Sequence, residues 1–250
     1  MADFKDHFSG HAAAYAEARP GYPETLFSQL ATLAPAHDQA WDCGTGNGQA
    51  AVALAAHFAR VIATDASAEQ IGSAFPNARV TYRVAPAEHA GLPDHSVDLV
   101  TVAQAAHWFD LPAFYAEVRR VAKPGAVIAL WCYGVCHITP DVDAVVATFY
   151  EGEIGPYWPP ERRLIDEAYR SLPFPFAKLD MPPISMSLDW TLPQLLAYLA
   201  SWSAVQRCIR ATGRDPIPAL TEALAAAWGK PDSARRVEWP LALRTGRVDG

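Results

Sequence analysis

The chain has 250 residues, and its 20 Lys or Arg against 27 Asp or Glu give a formal net charge of −7. This length fits one elaborated α/β domain with enough buried apolar surface to fold without disulfides. No long basic run is present, which argues against a nucleic-acid groove. No stretch approaches the roughly 18 apolar residues of a membrane span, and the charged residues 1–7 do not resemble a signal peptide. We therefore expect a cytoplasmic protein with neither a nucleic-acid nor a membrane partner.

Cysteine is sparse and does not suggest a disulfide framework, which fits a reducing compartment. The spacing Cys132-x-x-x-Cys136-His137 invites a zinc interpretation. It lies in the apolar run 126–138, however, and lacks a second ligand pair. We predict buried apolar thiols here and no metal site.

Residues 1–36 are predicted to form an N-terminal lid segment and the first helix. Residues 3–19 are rich in alanine with interspersed aromatic side chains, and residues 20–23, Pro-Gly-Tyr-Pro, interrupt them. Pro23 suits the first turn of a helix that runs to about Leu33.

Residues 37–135 alternate between strand and helix patterns and are predicted to be the cofactor-binding core. Apolar strands with short βα connections imply a parallel sheet covered on both faces. Right-handed crossovers place the loops after the strands along one edge, where ligands bind. The predicted strands are 40–43, 61–64, 80–84, 97–102 and 127–131, and the predicted helices are 49–58, 68–75 and 113–121.

Residues 136–250 are rich in proline and tryptophan and do not alternate cleanly. Alternating apolar residues predict strands at 184–190 and 237–243, which we expect to close the sheet as an antiparallel edge hairpin. Helices predicted at 192–209 and 217–228 would form a cap within the same domain. The expected fold is α/β: a Rossmann-like, doubly wound, mostly parallel seven-stranded sheet with an antiparallel edge hairpin and a helical cap.

The loop after the first strand of the core carries glycine at alternate positions, Gly44, Gly46 and Gly48. Glycines let the chain turn sharply and approach a ligand closely. A dinucleotide fingerprint needs its third glycine where this chain has Gln49. Asp65 ends the next strand, where an acidic side chain accepts both hydroxyls of a ribose and disfavours a ribose phosphate. Together these features favour a nucleoside ligand without phosphates.

Five segments resemble, in the right order, the motifs of the class I methyltransferases that use S-adenosylmethionine, in the form of a methyltransferase type 11 domain. The chain is also similar, more narrowly, to the trans-aconitate methyltransferase-like branch, through Tyr15-x-x-x-Arg19-Pro20-x-Tyr22-Pro23 and Ala106-His107-Trp108-Phe109. The five core segments are residues 40–48, 62–67, 87–93, 97–100 and 120–125.

The resemblance implies a cofactor site. Asp42 and the glycine loop would hold the methionine half, Asp65 the ribose, and Gln104 would lie beneath the sulfonium. Pro86 departs from the wider family, which often has aspartate there, and leaves the adenine to Ala87 and Glu88. Arg19 is either a lid residue that pairs with the cofactor carboxylate or a surface arginine before a turn. The implied cofactor-binding residues are Tyr15, Arg19, Asp42, Gly44, Thr45, Gly46, Asp65, Ala66, Ala87, Glu88 and Gln104.

The acceptor would lie beyond the fourth strand. His107 is the candidate catalytic residue: it could act as a general base, hydrogen-bond the acceptor, or simply pack. Trp190 and Trp239 are expected in the core. The candidate substrate-binding residues are His107, Trp108, Tyr133, Trp158 and Trp202.

The leading hypothesis is therefore methyl transfer from S-adenosylmethionine to a small molecule, at oxygen of a carboxylic acid or a related metabolite. Methyl transfer from a sulfonium mainly needs alignment and exclusion of water, and a carboxylate nucleophile needs no base. Two alternatives stay open: a nicotinamide-dependent oxidoreductase, and a cofactor-binding protein without catalysis.

Overall fold

A seven-stranded sheet forms the centre of the protein, and the computed structural model describes residues 20–249 around it. Tyr15 and Arg19 lie outside the described residues. The strands, in chain order, are β1 (Gln39–Cys43), β2 (Arg60–Asp65), β3 (Val80–Val84), β4 (Val97–Ala103), β5 (Ala122–Cys132), β6 (Ala177–Lys178), β7 (Ser185–Trp190), β8 (Arg235–Pro240) and β9 (Ala242–Arg247). The central sheet has the order β3-β2-β1-β4-β5-β9-β6, with β1 to β5 parallel. The predicted Rossmann-like, mostly parallel sheet is confirmed.

Helices cover both faces of this sheet. The helices of the described part are α1 (Glu24–Leu33), α2 (Gln49–Leu54), α3 (Ala68–Gly72), α4 (Leu111–Val121), α5 (Pro140–Thr148), α6 (Arg162–Asp166), α7 (Leu192–Ala200), α8 (Ser203–Thr212) and α9 (Ile217–Trp228). Successive strand residues alternate between two buried clusters: Leu99 packs with α1 and α2, and Val100 packs with α4. Residues 126–132 of β5 are all buried, which explains why they form a continuous apolar run rather than an alternating one.

No helix within residues 20–249 combines the length and the apolar character needed to cross a membrane.

The direction of the chain reverses between β1 and β4. From β1 the chain builds outward to β2 and β3, and then crosses to the other side of β1 to form β4 and β5. The loops after β1 and β4 therefore diverge and leave a crevice at the carboxyl ends of the two strands. Ligands of doubly wound sheets bind at such a switch point. The glycine loop, which follows β1, therefore lies at the edge where ligands of this fold bind.

The prediction that strands 184–190 and 237–243 close the central sheet is wrong. They pair with each other, as β7 and β8, in a separate two-stranded sheet. The antiparallel strand beside β5 is β9, and β6 pairs with β9 at the edge. The reason is Trp239: this side chain of β8 is fully buried against Tyr198 of α7, so β8 belongs to the cap. Trp190 and Trp239 are core residues, as expected.

The single helix predicted over residues 192–209 is also wrong. It is divided into α7 and α8 at Ser201 and Trp202. Trp202 has an extended backbone and its ring lies 5.7 Å from that of Tyr198. The break turns the buried Trp202 toward the ligand edge, which a continuous helix would not do.

The two cysteines of the apolar run, Cys132 and Cys136, are fully buried and unbridged. Burial raises the pKa of each thiol to about 12, so both stay protonated and unreactive. Among residues 20–249, no group of three or more His, Cys, Asp or Glu side chains is placed to hold a metal ion.

A buried carboxylate joins the two strands that flank the crevice. The Asp42 side chain has no exposed surface, and its two oxygens accept hydrogen bonds from Thr101 on β4 (2.7 Å) and from Thr45 in the glycine loop (2.6 Å). Burial raises the pKa of Asp42 to about 6, and the two hydroxyl groups only partly oppose that shift. The ionised Asp42 therefore costs the folded state stability.

Replacement of Asp42 by asparagine should remove this cost. Because the folded-state pKa is raised above the unfolded value, the contribution of Asp42 to the stability of the wild type rises as the pH falls through about 6 toward 4, by on the order of 2–3 kcal/mol. The Asp42→Asn variant should lack that gain. Chemical denaturation of both proteins at pH 8, 6 and 4 measures the difference, and an identical pH dependence in the two would contradict the buried, titrating carboxylate.

Candidate functional site

The glycine loop follows β1, and its three glycines all have positive φ angles, between 56° and 87°. At Gly44, a Cβ atom would lie 2.6 Å from the Cβ of Ala105, in the segment that follows β4. At Gly48, a Cβ atom would lie within 3 Å of the Tyr82 ring. These two glycines therefore permit close packing of protein against protein.

Gly46 is different, because the nearest heavy atom to the position where its Cβ atom would lie is Gln70 Oε1, at 3.7 Å, an ordinary contact distance. The Gly46 amide donates to Asp65 Oδ2 at 2.9 Å, and the Ser67 amide donates to Asp65 Oδ1 at 2.9 Å. These two bonds fix the orientation of the Asp65 carboxylate beside the loop. A carboxylate offers about four acceptor positions in all, which suits a pair of neighbouring hydroxyl groups.

The other described residues predicted to bind the cofactor differ in their burial and contacts. Thr45 donates its hydroxyl to Asp42 and so supports the loop. Ala66 is exposed and Ala87 is buried. Glu88 accepts from the backbone amide of Asp110 at 3.0 Å, which ties the loop after β3 to the start of α4.

Gln104 closes the end of β4 against β5. Its backbone amide donates to Trp131 (2.9 Å) and its side-chain amide donates to the carbonyl of Tyr133 (3.0 Å). Its φ angle is 57°, a left-handed conformation that costs a non-glycine residue free energy and often marks a functional position. The side-chain oxygen Oε1 is buried without a hydrogen-bond partner among the described residues, so this end of the crevice has an unfilled acceptor.

A cavity of about 80 Å³ opens beside Gln104. It has room for roughly five to eight waters, since one water needs about 10–15 Å³ of such space. The structure brings Gln104 together with all five residues predicted from the sequence to bind the substrate. The lining residues are Gln104, His107, Trp108, Tyr133, Gly134, Trp158, Pro159, Arg162, Ile165, Tyr198, Trp202 and Ser203. None of these residues is acidic.

His107 lies in a short 3₁₀ turn, Ala106–Trp108, on one wall of the cavity. Its Nδ1 atom is 2.9 Å from the hydroxyl oxygen of Tyr169, which is fully buried. Burial, together with the positive charge of Arg162, lowers the pKa of His107 to about 3. The imidazole is therefore neutral throughout the physiological pH range.

The opposite wall is aromatic. The ring of Trp158 lies 5.7 Å from that of Trp202 and 5.0 Å from that of Tyr150. The indole nitrogen of Trp158 is buried without a partner among the described residues. Together with Gln104 Oε1, it gives the cavity region two buried polar atoms that need a hydrogen-bond partner.

Sequence reasoning missed Arg162, Tyr169 and Tyr198. Arg162 had a signal, since it is a cation that closely follows Trp158-Pro159-Pro160, but it could equally be read as part of a short exposed basic pair with Arg163. Tyr169 lies 62 residues from His107 along the chain, and no periodicity connects them. Tyr198 reads as an ordinary apolar position of a cap helix.

Comparisons with known proteins agree with this geometry. Residues 41–130 match the family model described as a methyltransferase domain. A methyltransferase of Dictyostelium discoideum is 37% identical over 233 residues, which cover 92% of this chain and 89% of that protein. The structure of a type II methyltransferase from Anaeromyxobacter dehalogenans is 50% identical, with a TM-score of 0.88 over 92% of this chain and 98% of that one. The chain therefore belongs to the class I S-adenosylmethionine-dependent methyltransferases.

Proposed function

We propose that this methyltransferase transfers a methyl group to a carboxylate oxygen of a small-molecule acceptor bound in the cavity beside Gln104. The observation that carries the proposal is the state of His107, the candidate base: it is neutral and its Nδ1 atom is engaged by Tyr169. The narrower resemblance to the trans-aconitate methyltransferase-like branch belongs to the same proposal.

The residues at the crevice fit S-adenosylmethionine. The Gly46 amide fixes Asp65 beside the loop, and a carboxylate at the end of the second strand suits the ribose hydroxyls. The unpartnered Oε1 atom of Gln104 suits a cationic or donor group of the ligand, and the buried carboxylate of Asp42 lies beneath the same loop. When bound, the cofactor supplies a methyl group on a sulfonium, whose transfer to a carboxylate gives a neutral ester and S-adenosylhomocysteine without moving a proton.

The hydrogen bond between His107 and Tyr169 determines which ring nitrogen carries the proton. The buried Tyr169 hydroxyl needs an acceptor, and burial raises its pKa, so it keeps its proton. The side-chain atom that the structure places within hydrogen-bond distance of this hydroxyl is His107 Nδ1. If Nδ1 were protonated, the phenol hydrogen would be buried unsatisfied, at a cost of about 1–3 kcal/mol. His107 is therefore assigned as protonated at Nε2, which makes it a hydrogen-bond donor and not a base.

A site without a base restricts the acceptor. Alcohols are neutral at physiological pH and ammonium groups are protonated, so both need a proton removed before or during transfer. A carboxylic acid is already ionised. A donor such as His107 Nε2–H can hold one oxygen of a carboxylate while the other oxygen acts as nucleophile. The cavity chemistry therefore favours a carboxylate.

The two alternatives receive less support. A nicotinamide dinucleotide needs the third glycine of its fingerprint where the chain has Gln49, at the start of α2. A cofactor-binding protein without catalysis would not need a cavity with polar atoms that await partners. Binding of the nicotinamide dinucleotide, but not of S-adenosylhomocysteine, would favour the oxidoreductase.

A methyl-transfer screen tests the proposed reaction. The purified protein is incubated with methyl-labelled S-adenosylmethionine and a library of carboxylic acids, phenols, alcohols and amines. We expect label in the carboxylic acids, as methyl esters that alkali hydrolyses to methanol. Label only in phenols, alcohols or amines, or in no compound, would contradict the proposal.

Replacement of Tyr169 by phenylalanine tests the assignment of His107. Nitrogen-15 NMR of the histidine rings should show His107 protonated at Nε2 in the wild type. In Tyr169→Phe we expect a mixture of both tautomers, because Nδ1 has lost its donor, together with a fall in methyl transfer. Tyr115→Phe is the matched control, since the Tyr115 hydroxyl is also largely buried but donates to the carbonyl of Pro173. A wild-type His107 protonated at Nδ1 would contradict the assignment.

A further inference from the structure

Among the described residues that line the cavity, Arg162 is the one cation. It lies at the start of α6, and only 17% of its side chain is exposed. Its Nε atom donates to the hydroxyl of Tyr150 at 2.6 Å and, at 3.3 Å, to a carboxylate oxygen of Asp166. The guanidinium is thus held from its Nε side by neighbouring residues.

The other edge of the same guanidinium has two Nη groups with four N–H donors, and none of them has a partner among the described residues. The Nη atoms are not among the buried unpartnered atoms of the described residues, so they are open to a ligand in the cavity that Arg162 lines. The Asp166 carboxylate, which is itself 43% exposed, meets only the Nε atom and leaves the Nη edge available.

Aromatic rings fix the direction of that edge. The guanidinium carbon lies 4.6 Å from the centre of the Trp158 ring and 5.4 Å from that of Tyr150. Stacking on Trp158 and the Nε bond to Tyr150 together restrict the plane of the guanidinium. A fixed planar fork with two free Nη groups matches the two oxygens of a carboxylate.

The charges around the cavity agree with an anionic ligand. None of the described residues that line it is acidic, His107 is neutral, and the Arg162 charge is near enough to His107 to help lower its pKa. An anion placed there would meet Arg162 and the aromatic walls. An uncharged acceptor would offer the Nη donors no negative charge.

We propose that Arg162 selects the methyl acceptor by binding its carboxylate through the free Nη edge, while the Trp158 and Trp202 rings contact a planar or apolar body. This inference rests on the proposed function. The carboxylate loses its negative charge when the ester forms, so the product no longer pairs with Arg162. The same residue thus favours binding of the acid and release of the ester.

Binding measurements without turnover test this role. The full-length protein saturated with S-adenosylhomocysteine is titrated calorimetrically with a panel of aromatic and aliphatic carboxylic acids and with the primary amide of each. We expect at least one acid to bind roughly 10-fold or more tightly than its amide, the range of a charged hydrogen-bonded pair. If no acid binds more tightly than its amide, the proposal is overturned.

Variants of Arg162 test whether this residue causes the preference for the acid over its amide. Arg162→Gln should abolish the preference for acid over amide, and Arg162→Lys should keep a part of it, because a lysine retains the charge but not the planar fork. Arg163→Gln is the matched control, since its exposed side chain pairs with Glu167 on the surface. Thermal melting monitors folding, and the comparison of acid with amide in the wild type stands even if Arg162→Gln unfolds. An unchanged preference in folded Arg162→Gln would overturn the proposal.

Different results would contradict the proposed reaction and the proposed role of Arg162. If acids bind through Arg162 but the screen with labelled S-adenosylmethionine yields no methyl ester, the proposed reaction fails and the anion site stands. If esters form equally well in the wild type and in Arg162→Gln, the reaction stands and the role of Arg162 fails.

Discussion

The ligand edge of this methyltransferase depends on the close contact between the ends of β1 and β4. Gly44 lies so near to Ala105 that a Cβ atom would collide with it, and Asp42 is joined by hydrogen bonds to Thr101 on the neighbouring strand. This contact fixes the glycine loop on one side of the crevice. On the other side, Gln104 and the turn that contains His107 follow directly after β4. The crevice proposed for the cofactor and the cavity proposed for the acceptor therefore both depend on the pairing of β1 with β4.

Charge is distributed unevenly around that contact. The carboxylates Asp42 and Asp65 lie on the side of the glycine loop, where hydroxyls and backbone amides hold them. Within residues 20–249, the only cation lining the cavity is Arg162, on the cap side. A ligand pair that carries a cationic sulfonium and an anionic acceptor would match this division. Neutral His107 and Gln104 lie between the two sides, so neither ligand meets a like charge there.

Much of the core was predictable from the sequence. Parallel strands buried on both faces read as continuous apolar runs, and the predicted strand 80–84 has the bounds of β3. The alternate glycines were predictable because a tight loop needs the positive φ angles that glycine adopts easily. The five residues predicted to bind the substrate line one cavity. The cap was harder. The alternating pattern of β8 shows that one face is buried but not which partner buries it, so its pairing with β7 could not be deduced.

The missed residues share a cause. Arg162 is distinguished from its neighbour Arg163 only by what each side chain contacts: one stacks on Trp158 at the cavity, and the other pairs with Glu167 in solvent. Tyr169 acts through a hydrogen bond across 62 residues of chain. Such contacts arise from tertiary packing, and they cannot be predicted from residue type or spacing in a single sequence.

The pH dependence of kcat, for the acid with the highest activity, tests whether the site transfers a methyl group to a carboxylate without a base. His107 has a pKa of about 3, Asp42 one of about 6, and the acceptor is ionised above about 5. If no base is needed, kcat should be constant from pH 7 to pH 9. A kcat that rises tenfold per pH unit across that range would show that a proton must be removed, and would contradict methyl transfer without a base.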